Sequence, residues 1–426
     1  MTLSKFNKLT VLLTSFLAGQ GSVHLLNLIS GFLLLRWLSV EDYAQYSVTF
    51  GFQSTFSILI DLGFSGTIIA LVGDRIYDKN TVGAYIYAGK SFRNLLFFIL
   101  IPIIIIVFPL VTAKYHWTWI TQLLLLSSIM ISLFFQGWAS YYALPLLMHK
   151  QIREYYQVQI ASAGGRLILN FGFYIISALF SWISLWINSG VIVVNAILYK
   201  RNAEKWIEEP DASNSKIKRE MIAYIAPLIP VIIFTAFQGQ ISILIITIFG
   251  HIKSIAEVAA LSRIAQIFLL LNAFNSVIIE PYIAKVSRQR LVISYFQILS
   301  VAFTICIMLY AIAFLFPEII LWVLGSKYQH LKNETSWLIL SSCINYIGGV
   351  IWTISSARKW IYWWHTTLYI VLLLVAQAIC ILFMRLDTTL GVIQFSLASG
   401  IVVLIVHIIG SIYGFIYGSR QLTNTV

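Results

Sequence analysis

Eight of the polar side chains inside the long apolar stretches of this chain are candidates to do chemistry, and each needs a chemical reason to be there. Asn27, Gln53, Arg166, Gln238 and Arg263 are candidates to hold a polar or anionic substrate; His24, Asp61 and Glu280 are candidates to carry a coupling ion. A polar group left unsatisfied in hydrocarbon costs several kcal/mol, so such residues mark function or tight pairing. Their spacing groups them by helical face. Gln20, His24, Asn27 and Gly31 share one face, as do Gln53, Ser57 and Asp61, and Ser162, Arg166 and Asn170. Thr235, Gln238 and Ser242 share another, Arg263 goes with Gln266, and Asn272, Ser276 and Glu280 fall on a neighbouring face.

Arg166 is the sharpest of these. It lies roughly 15 Å into its apolar run at 1.5 Å rise per residue. Gly164 and Gly165 precede it and would allow close helix approach or bending. A guanidinium offers a planar donor fork suited to phosphate or carboxylate; the alternative is a structural ion pair with Asp61. Asp61 is then either a site for a coupling proton or the fixed partner of Arg166. His24 is a second proton site, although a neutral hydrogen-bonded imidazole is the commoner case. Glu280 precedes Pro281 near the end of its run, and Arg263 is close enough to an end to snorkel.

The elements that must position these residues follow from composition. The 426 residues are 59% hydrophobic and 10% charged, with a mean hydropathy of +0.87. A soluble domain carries about 25% charged residues, so lipid is the solvent this surface suits. A spanning helix needs about 20 apolar residues. Runs of that length fall at 11–35, 45–72, 94–112, 119–145, 157–179, 180–199, 221–249, 258–283, 291–316, 336–356, 361–384 and 391–416. The stretch after Thr10 has no small-residue cleavage site at its end and reads as the first span rather than a signal peptide. The fifth and sixth runs are nearly continuous and divide near Ser181.

The net charge of +12 does not form a stripe for nucleic acid. With the N-terminus in the cytoplasm, 20 of the 28 Lys and Arg residues, Lys90 and Arg93 among them, fall in cytoplasmic segments, and 6 fall on the opposite side. Both termini are then cytoplasmic. The longest cytoplasmic connection, Lys200 to Glu220, divides the chain into six-helix bundles at 1–199 and 221–426, joined by a linker at 200–220. A weak repeat links them: Ser39-Val-Glu-Asp42-Tyr-Ala44 after the first run matches Ser254-Ile-Ala-Glu257-Val-Ala259 after the seventh. The expected fold is all-α, a polytopic membrane protein of about twelve spans in two bundles around a central polar cleft.

Other motifs fail on context. Ala84 to Ser91 approaches a P-loop, but Ala84 stands where Gly belongs and no strand precedes it. Cys306, Cys343 and Cys380 lie in apolar runs without metal or disulfide spacing and read as small packing residues. No cofactor or metal site is expected. The longest external loop, Pro317 to Thr335, has no room for a catalytic domain, which argues against an enzyme such as a glycan polymerase.

Two stretches carry a family resemblance: Leu33-Leu-Leu-Arg36-Trp-Leu-Ser39-Val-Glu-Asp42-Tyr43-Ala44 followed by Asp61-Leu-Gly63-Phe, and Phe316-Pro317 through Gly325-Ser-Lys327-Tyr328. The chain resembles bacterial polysaccharide flippases of the O-antigen (Wzx) type, in the multidrug, oligosaccharidyl-lipid and polysaccharide exporter superfamily. It departs from the usual pattern at Ala44, where a glycine is common. The resemblance implies a bacterial inner-membrane protein with a cationic cavity. It would move undecaprenyl-diphosphate-linked oligosaccharide from the cytoplasmic to the periplasmic leaflet, alongside polysaccharide polymerase machinery. The competing expectation is a cation-coupled exporter of small-molecule drugs from the same superfamily, whose cavity should be acidic.

Overall fold

In a computed structural model, which describes residues 3–209 and 215–417, the chain is helical throughout, with no strand among the described residues. It divides into two compact units, Met1–Leu244 and Ile245–Val426. The first unit holds α1 (Leu3–Trp37), α2 (Val40–Asp61), α3 (Phe64–Val72), α4 (Lys79–Thr112), α5 (Trp119–Met148), α6 (Ile152–Ile175), α7 (Ser181–Ala203), α8 (Ser215–Ile225) and α9 (Ile229–Gln238). Helix α10 (Ile241–Phe249) runs through the boundary between the units. The second unit continues with α11 (Ile252–Ala265), α12 (Ile267–Phe274), α13 (Glu280–Lys285), α14 (Arg288–Leu315), α15 (Pro317–Leu324), α16 (Lys332–Ala357), α17 (Trp363–Phe383) and α18 (Thr389–Tyr417).

Among the described residues, eleven segments are long and apolar enough to cross a membrane. The twelfth expected span is α6, which is 24 residues long but carries Gln159, Ser162, Arg166 and Asn170 and is correspondingly less apolar. Side chains such as Ile307 (64% exposed) and Phe314 (63%) on α14 cover its outer surface. Faces this apolar are stable only against lipid.

The helix breaks have local causes. The second span ends α2 at Leu62 and restarts after Gly63, both with positive φ (43° and 79°). Across that break the Asp61 carboxylate accepts the Ser65 hydroxyl at 2.7 Å and reaches the Ser65 N–H at 3.4 Å, so it serves the free amides at the start of α3. The seventh span is interrupted at Pro227 and Pro230 and again at Gly239. In the eighth, a π-helical turn at Asn275–Ile279 precedes Glu280-Pro281; proline has no N–H and crowds the preceding turn, which displaces the usual ladder. The expected division near Ser181 falls where α7 starts.

One expectation is corrected here. Arg93, assigned by its charge to a cytoplasmic segment, lies well inside α4 and is only 3% exposed. Asp78 caps α4 by accepting the N–H groups of Asn80 and Thr81, so the helix begins fifteen residues before the apolar run at 94.

The two units repeat the same packing pattern. The fourth span packs along the sixth (α5 on α7) and the tenth along the twelfth (α16 on α18). Likewise α6 packs on α7 as α17 packs on α18, and α4 on α5 as α14 on α16. Small residues allow the close approach of α5 and α7: Ser132 and Ser189 share a hydrogen bond at 2.8 Å, and Ser189 reaches the Ser128 carbonyl at 3.0 Å. Between α14 and α16, Cys306 and Cys343 pack as free thiols, each directed at the other's carbonyl. Helices α8 and α9 pack on α3, α4 and α2, and so belong by contact to the first unit. The division by packing at Leu244 and the division by sequence repeat at 200–220 are therefore different things.

Candidate functional site

A cavity of about 360 Å³ lies inside the first unit, with walls from α1, α2, α5, α6 and α7. This volume is at the lower end of the range typical of small-molecule sites. Each helix turns a polar face to it. Helix α6 contributes Gln159, Ser162 and Arg166 at i, i+3 and i+7, and α7 contributes Asn188 and Asn195, also seven apart. Asn27 comes from α1, Gln53 and Ser54 from α2, and Gln136 and Ser140 from α5. Tyr155 and Tyr199 form an aromatic wall, their rings 5.8 Å apart and the Tyr199 hydroxyl donating to the Tyr155 carbonyl at 3.1 Å. Among the described residues, no Asp or Glu lines the cavity.

The structure thus brings Asn27, Gln53 and Arg166 together. Arg166 donates through Nη1 to Asn188 Oδ1 at 3.0 Å and through Nη2 to Asn27 Oδ1. Its Nε is buried and has no hydrogen-bond partner among the described residues. No carboxylate among the described residues pairs with it. Two amide oxygens orient the guanidinium but do not neutralise it, and a guanidinium has five N–H donors, so donors remain for an anion. Beside it, the Ser162 hydroxyl donates to Asn195 Oδ1. A Cβ placed on Gly164 or Gly165 would meet nothing within 4 Å, so these glycines do not serve the close approach expected of them.

Asp61 is not the partner of Arg166. It pairs with Arg93 at 3.6 Å, away from the cavity wall. Arg93 also donates to the Leu133 carbonyl at 2.9 Å. The guanidinium lies against Gly137 of α5, where an added Cβ would fall 2.0 Å from its Nε. A buried charge pair is strongly destabilised when one member is removed, so this cluster ties α2, α4 and α5 together.

The remaining sequence candidates lie elsewhere. His24 Nε2 accepts from the Gln20 amide at 2.7 Å, and Gln20 in turn accepts from the Tyr156 hydroxyl at 2.8 Å. His24 thus belongs to the α1–α6 packing. Gln238 and Arg263 do not line the cavity, and each has an interaction of its own. Glu280 opens α13 after the π-helical turn and forms no hydrogen bond or ion pair among the described residues. Of its expected face partners, Asn272 accepts from Asn275 at 3.4 Å; the side chain of Ser276 lies outside the described residues.

Sequence reasoning missed Gln136, Gln159, Asn188 and Asn195. The signal was present as amides at helical spacing on α6 and α7, but none is charged, and single amides in a span are easily read as packing.

No family model matches the chain, and no curated protein matches it in sequence. Among solved structures it is similar to an inward-facing multidrug resistance MATE family transporter of the MOP superfamily, with a TM-score of 0.69 at 13% identity over 95% of this chain and 96% of that one. It is also similar to the lipid II flippase MurJ in an inward closed conformation, with a TM-score of 0.67 at 15% identity over 92% and 86%. A third is a MOP superfamily transporter from Pyrococcus furiosus, described as having a binding pocket of reverse polarity, with a TM-score of 0.58 at 14% identity over 96% and 94%. With helices long and apolar enough for a membrane and this likeness along nearly its whole length, the chain has the polytopic helical fold shared by MATE transporters and the MurJ flippase.

Proposed function

We propose that this protein is a flippase. It would carry an undecaprenyl-diphosphate-linked oligosaccharide, an O-antigen or similar surface-polysaccharide repeat unit, from the cytoplasmic to the periplasmic leaflet of a bacterial inner membrane. The reading rests on the composition of the cavity among the described residues: one guanidinium, six carboxamides (Asn27, Gln53, Gln136, Gln159, Asn188 and Asn195) and no carboxylate. Carboxamides both donate and accept, which suits sugar hydroxyls. The spare donors of Arg166 suit a phosphate oxygen. Tyr155 and Tyr199 offer flat apolar surface to a sugar ring. The polyprenyl tail would stay in the bilayer.

Export of cationic drugs is the second reading, supported by the multidrug transporter among the structural neighbours. A cation in this cavity would face Arg166 with no carboxylate to offset it, so the cavity chemistry favours the first. For ion coupling, Asp61, His24 and Glu280 remain the sequence-derived candidates. Asp61 is held by Arg93 and His24 by Gln20, which leaves Glu280 the least engaged of the three.

Deleting the gene tests the reading. Lipid-linked repeat units should accumulate in the inner leaflet and surface glycan should disappear, with wild type restoring both. The Arg166→Ala variant should fail to restore glycan while its level in the membrane is unchanged. Normal surface glycan with altered drug resistance would instead establish the exporter.

A further inference from the structure

A second group of titratable side chains lies in the second unit, apart from the cavity described above. His407 sits on α18 and His365 in the first turn of α17, and neither figures in the reading above. His407 Nδ1 and His365 Nε2 are 3.4 Å apart, with ring centroids at 5.4 Å and planes 27° from parallel. His365 is 3% exposed. It packs so closely on α18 that a Cβ on Gly410 would fall 2.5 Å from its ring. Its Nδ1 points at the Val406 backbone but forms no hydrogen bond of ordinary geometry.

Aromatic rings flank the pair, in which His407 is only partly buried. Trp352 of α16 lies 5.8 Å from His365 and 5.2 Å from His407, and Tyr369 stacks on His407 at 6.0 Å. Trp364 meets His365 edge-on at 6.0 Å. Among the described residues, the titratable groups in ring contact with the pair or with Trp364 are tyrosines, Tyr369 against His407 and Tyr362 and Tyr413 against Trp364, while Tyr295 on α14 accepts from Ser411 of α18 at 3.1 Å. No Lys, Arg, Asp or Glu forms a hydrogen bond or ion pair with either imidazole among the described residues.

We propose that His365 and His407 form one proton-binding site, and that its loading with a single proton is the coupling step of transport. The coupling role rests on the transporter reading above; the site does not. Two neutral imidazoles meeting nitrogen to nitrogen share one N–H, and 3.4 Å is long for that bond. One added proton converts it to an imidazolium donating to a neutral imidazole, a charge-assisted bond that shortens. A second proton would set two like charges side by side, so the pair takes one. Trp352 and Tyr369 present π-faces to the resulting cation, while no carboxylate neutralises it. With no carboxylate beside it and His365 buried, the loaded state is costly in this arrangement and is favoured by any arrangement that opens the pair to water. A proton that binds two arrangements unequally shifts the balance between them, which is what coupling requires.

The test uses the full-length protein reconstituted in phosphatidylethanolamine–phosphatidylglycerol vesicles on a solid-supported membrane. The solution is stepped from about pH 8 to about pH 5 across the histidine range. No substrate is present, so the outcome does not depend on which cargo the protein carries. Wild type should give a transient charge displacement. His365→Gln and His407→Gln should each lower it at least ~10-fold, and the double variant no further, as expected of residues acting as a unit. Full currents from both single variants, or no current from wild type, would overturn the proposal. Should a variant fail to fold, nitrogen-15 histidine spectra of the wild type decide: two of its seven imidazoles must take up one proton between them, and two rings titrating independently would sink the idea.

Discussion

The carboxylate of Asp42 accepts the backbone N–H of Ser181 at 3.0 Å, which fastens the start of α7 to the first turn of α2 across 139 residues of chain. Its other oxygen accepts from the Ser39 hydroxyl at 2.6 Å, and Ser39 in turn caps α2 by accepting the Asp42 N–H at 3.0 Å. In the second unit Glu257 does the equivalent work. Its Oε2 accepts the hydroxyl of Thr389, the first residue of α18, at 2.5 Å, and its Oε1 pairs with His330 at 2.7 Å. Asp42 and Glu257 occupy matched positions of the sequence repeat, and Ser181 and Thr389 each begin the sixth span of one half of that repeat. The weak repeat is thus a repeated tertiary contact, in which an acidic side chain accepts a hydrogen bond from the first residue of a distant helix, from its backbone N–H at Ser181 and from its hydroxyl at Thr389.

Removing that contact should weaken each unit separately. Loss of a helix cap costs about 1 kcal/mol, so Asp42→Ala should lower the unfolding temperature in detergent by a few degrees. Asp42→Asn, which keeps an acceptor oxygen, should lower it less. Glu257→Ala should cost slightly more than Asp42→Ala, because it also removes the close contact with His330. Equal Tm values for wild type and both alanine variants would show that the contacts contribute nothing.

Gly137 should tolerate no side chain while Arg93 is present. A methyl there would displace the guanidinium from both Asp61 and the Leu133 carbonyl. Breaking a buried pair costs roughly 3–5 kcal/mol, so Gly137→Ala should lose most of its monodisperse peak on size exclusion after mild heating. Replacing Arg93 by Met and Asp61 by Asn in the same chain should restore part of it. A stable Gly137→Ala protein would mean that Arg93 can move away freely.

The orientation of Arg166 should matter as much as its charge. Asn188→Leu removes one of the two amide oxygens that aim the guanidinium, a loss of about 1 kcal/mol or more for a hydrogen bond to a charged group. Surface glycan should fall several-fold at unchanged protein level. Arg166→Lys should behave like Arg166→Ala, because a single ammonium cannot bridge Asn27 and Asn188 in the same geometry. Normal export by Arg166→Lys would reduce the site to a point charge.

The start of α4 should respond to acid. The Thr81 hydroxyl and the amides of Thr81 and Asn80, with help from nearby Arg75, hold the exposed Asp78 carboxyl below its ordinary value. A depressed carboxyl stabilises the fold above its unfolded pKa, and that contribution disappears as pH falls through the lower folded value. Hydrogen exchange at the Thr81 and Val82 amides, corrected for the intrinsic rate, should therefore quicken only below the usual carboxylate range. In Asp78→Asn it should be insensitive to acid. Identical acid responses of the two proteins would remove the carboxylate from this account.

The spans were readable one at a time, because a membrane forces each segment to satisfy its own backbone and cover itself with apolar side chains. Even α6, the least apolar, stood out as a run, and Arg166, Asn27 and Gln53 stood out within theirs because charge and amides are rare there. Arg93 was misplaced for the same reason in reverse: charge was taken as a sign of the loop, while its helix begins earlier, at a polar cap. The amides of α5 and α7 carried too little contrast with ordinary packing residues to be singled out.

What the sequence determined by itself was the solvent, the helices and the presence of costly polar groups, all of which depend on neighbours within a few turns. Tertiary structure alone decided the pairings: Asp61 with Arg93 rather than Arg166, Arg166 with Asn27 and Asn188, His365 with His407. Each joins residues from different helices, tens of positions or more apart. Helical periodicity says which face a residue is on, but not which other face it will meet.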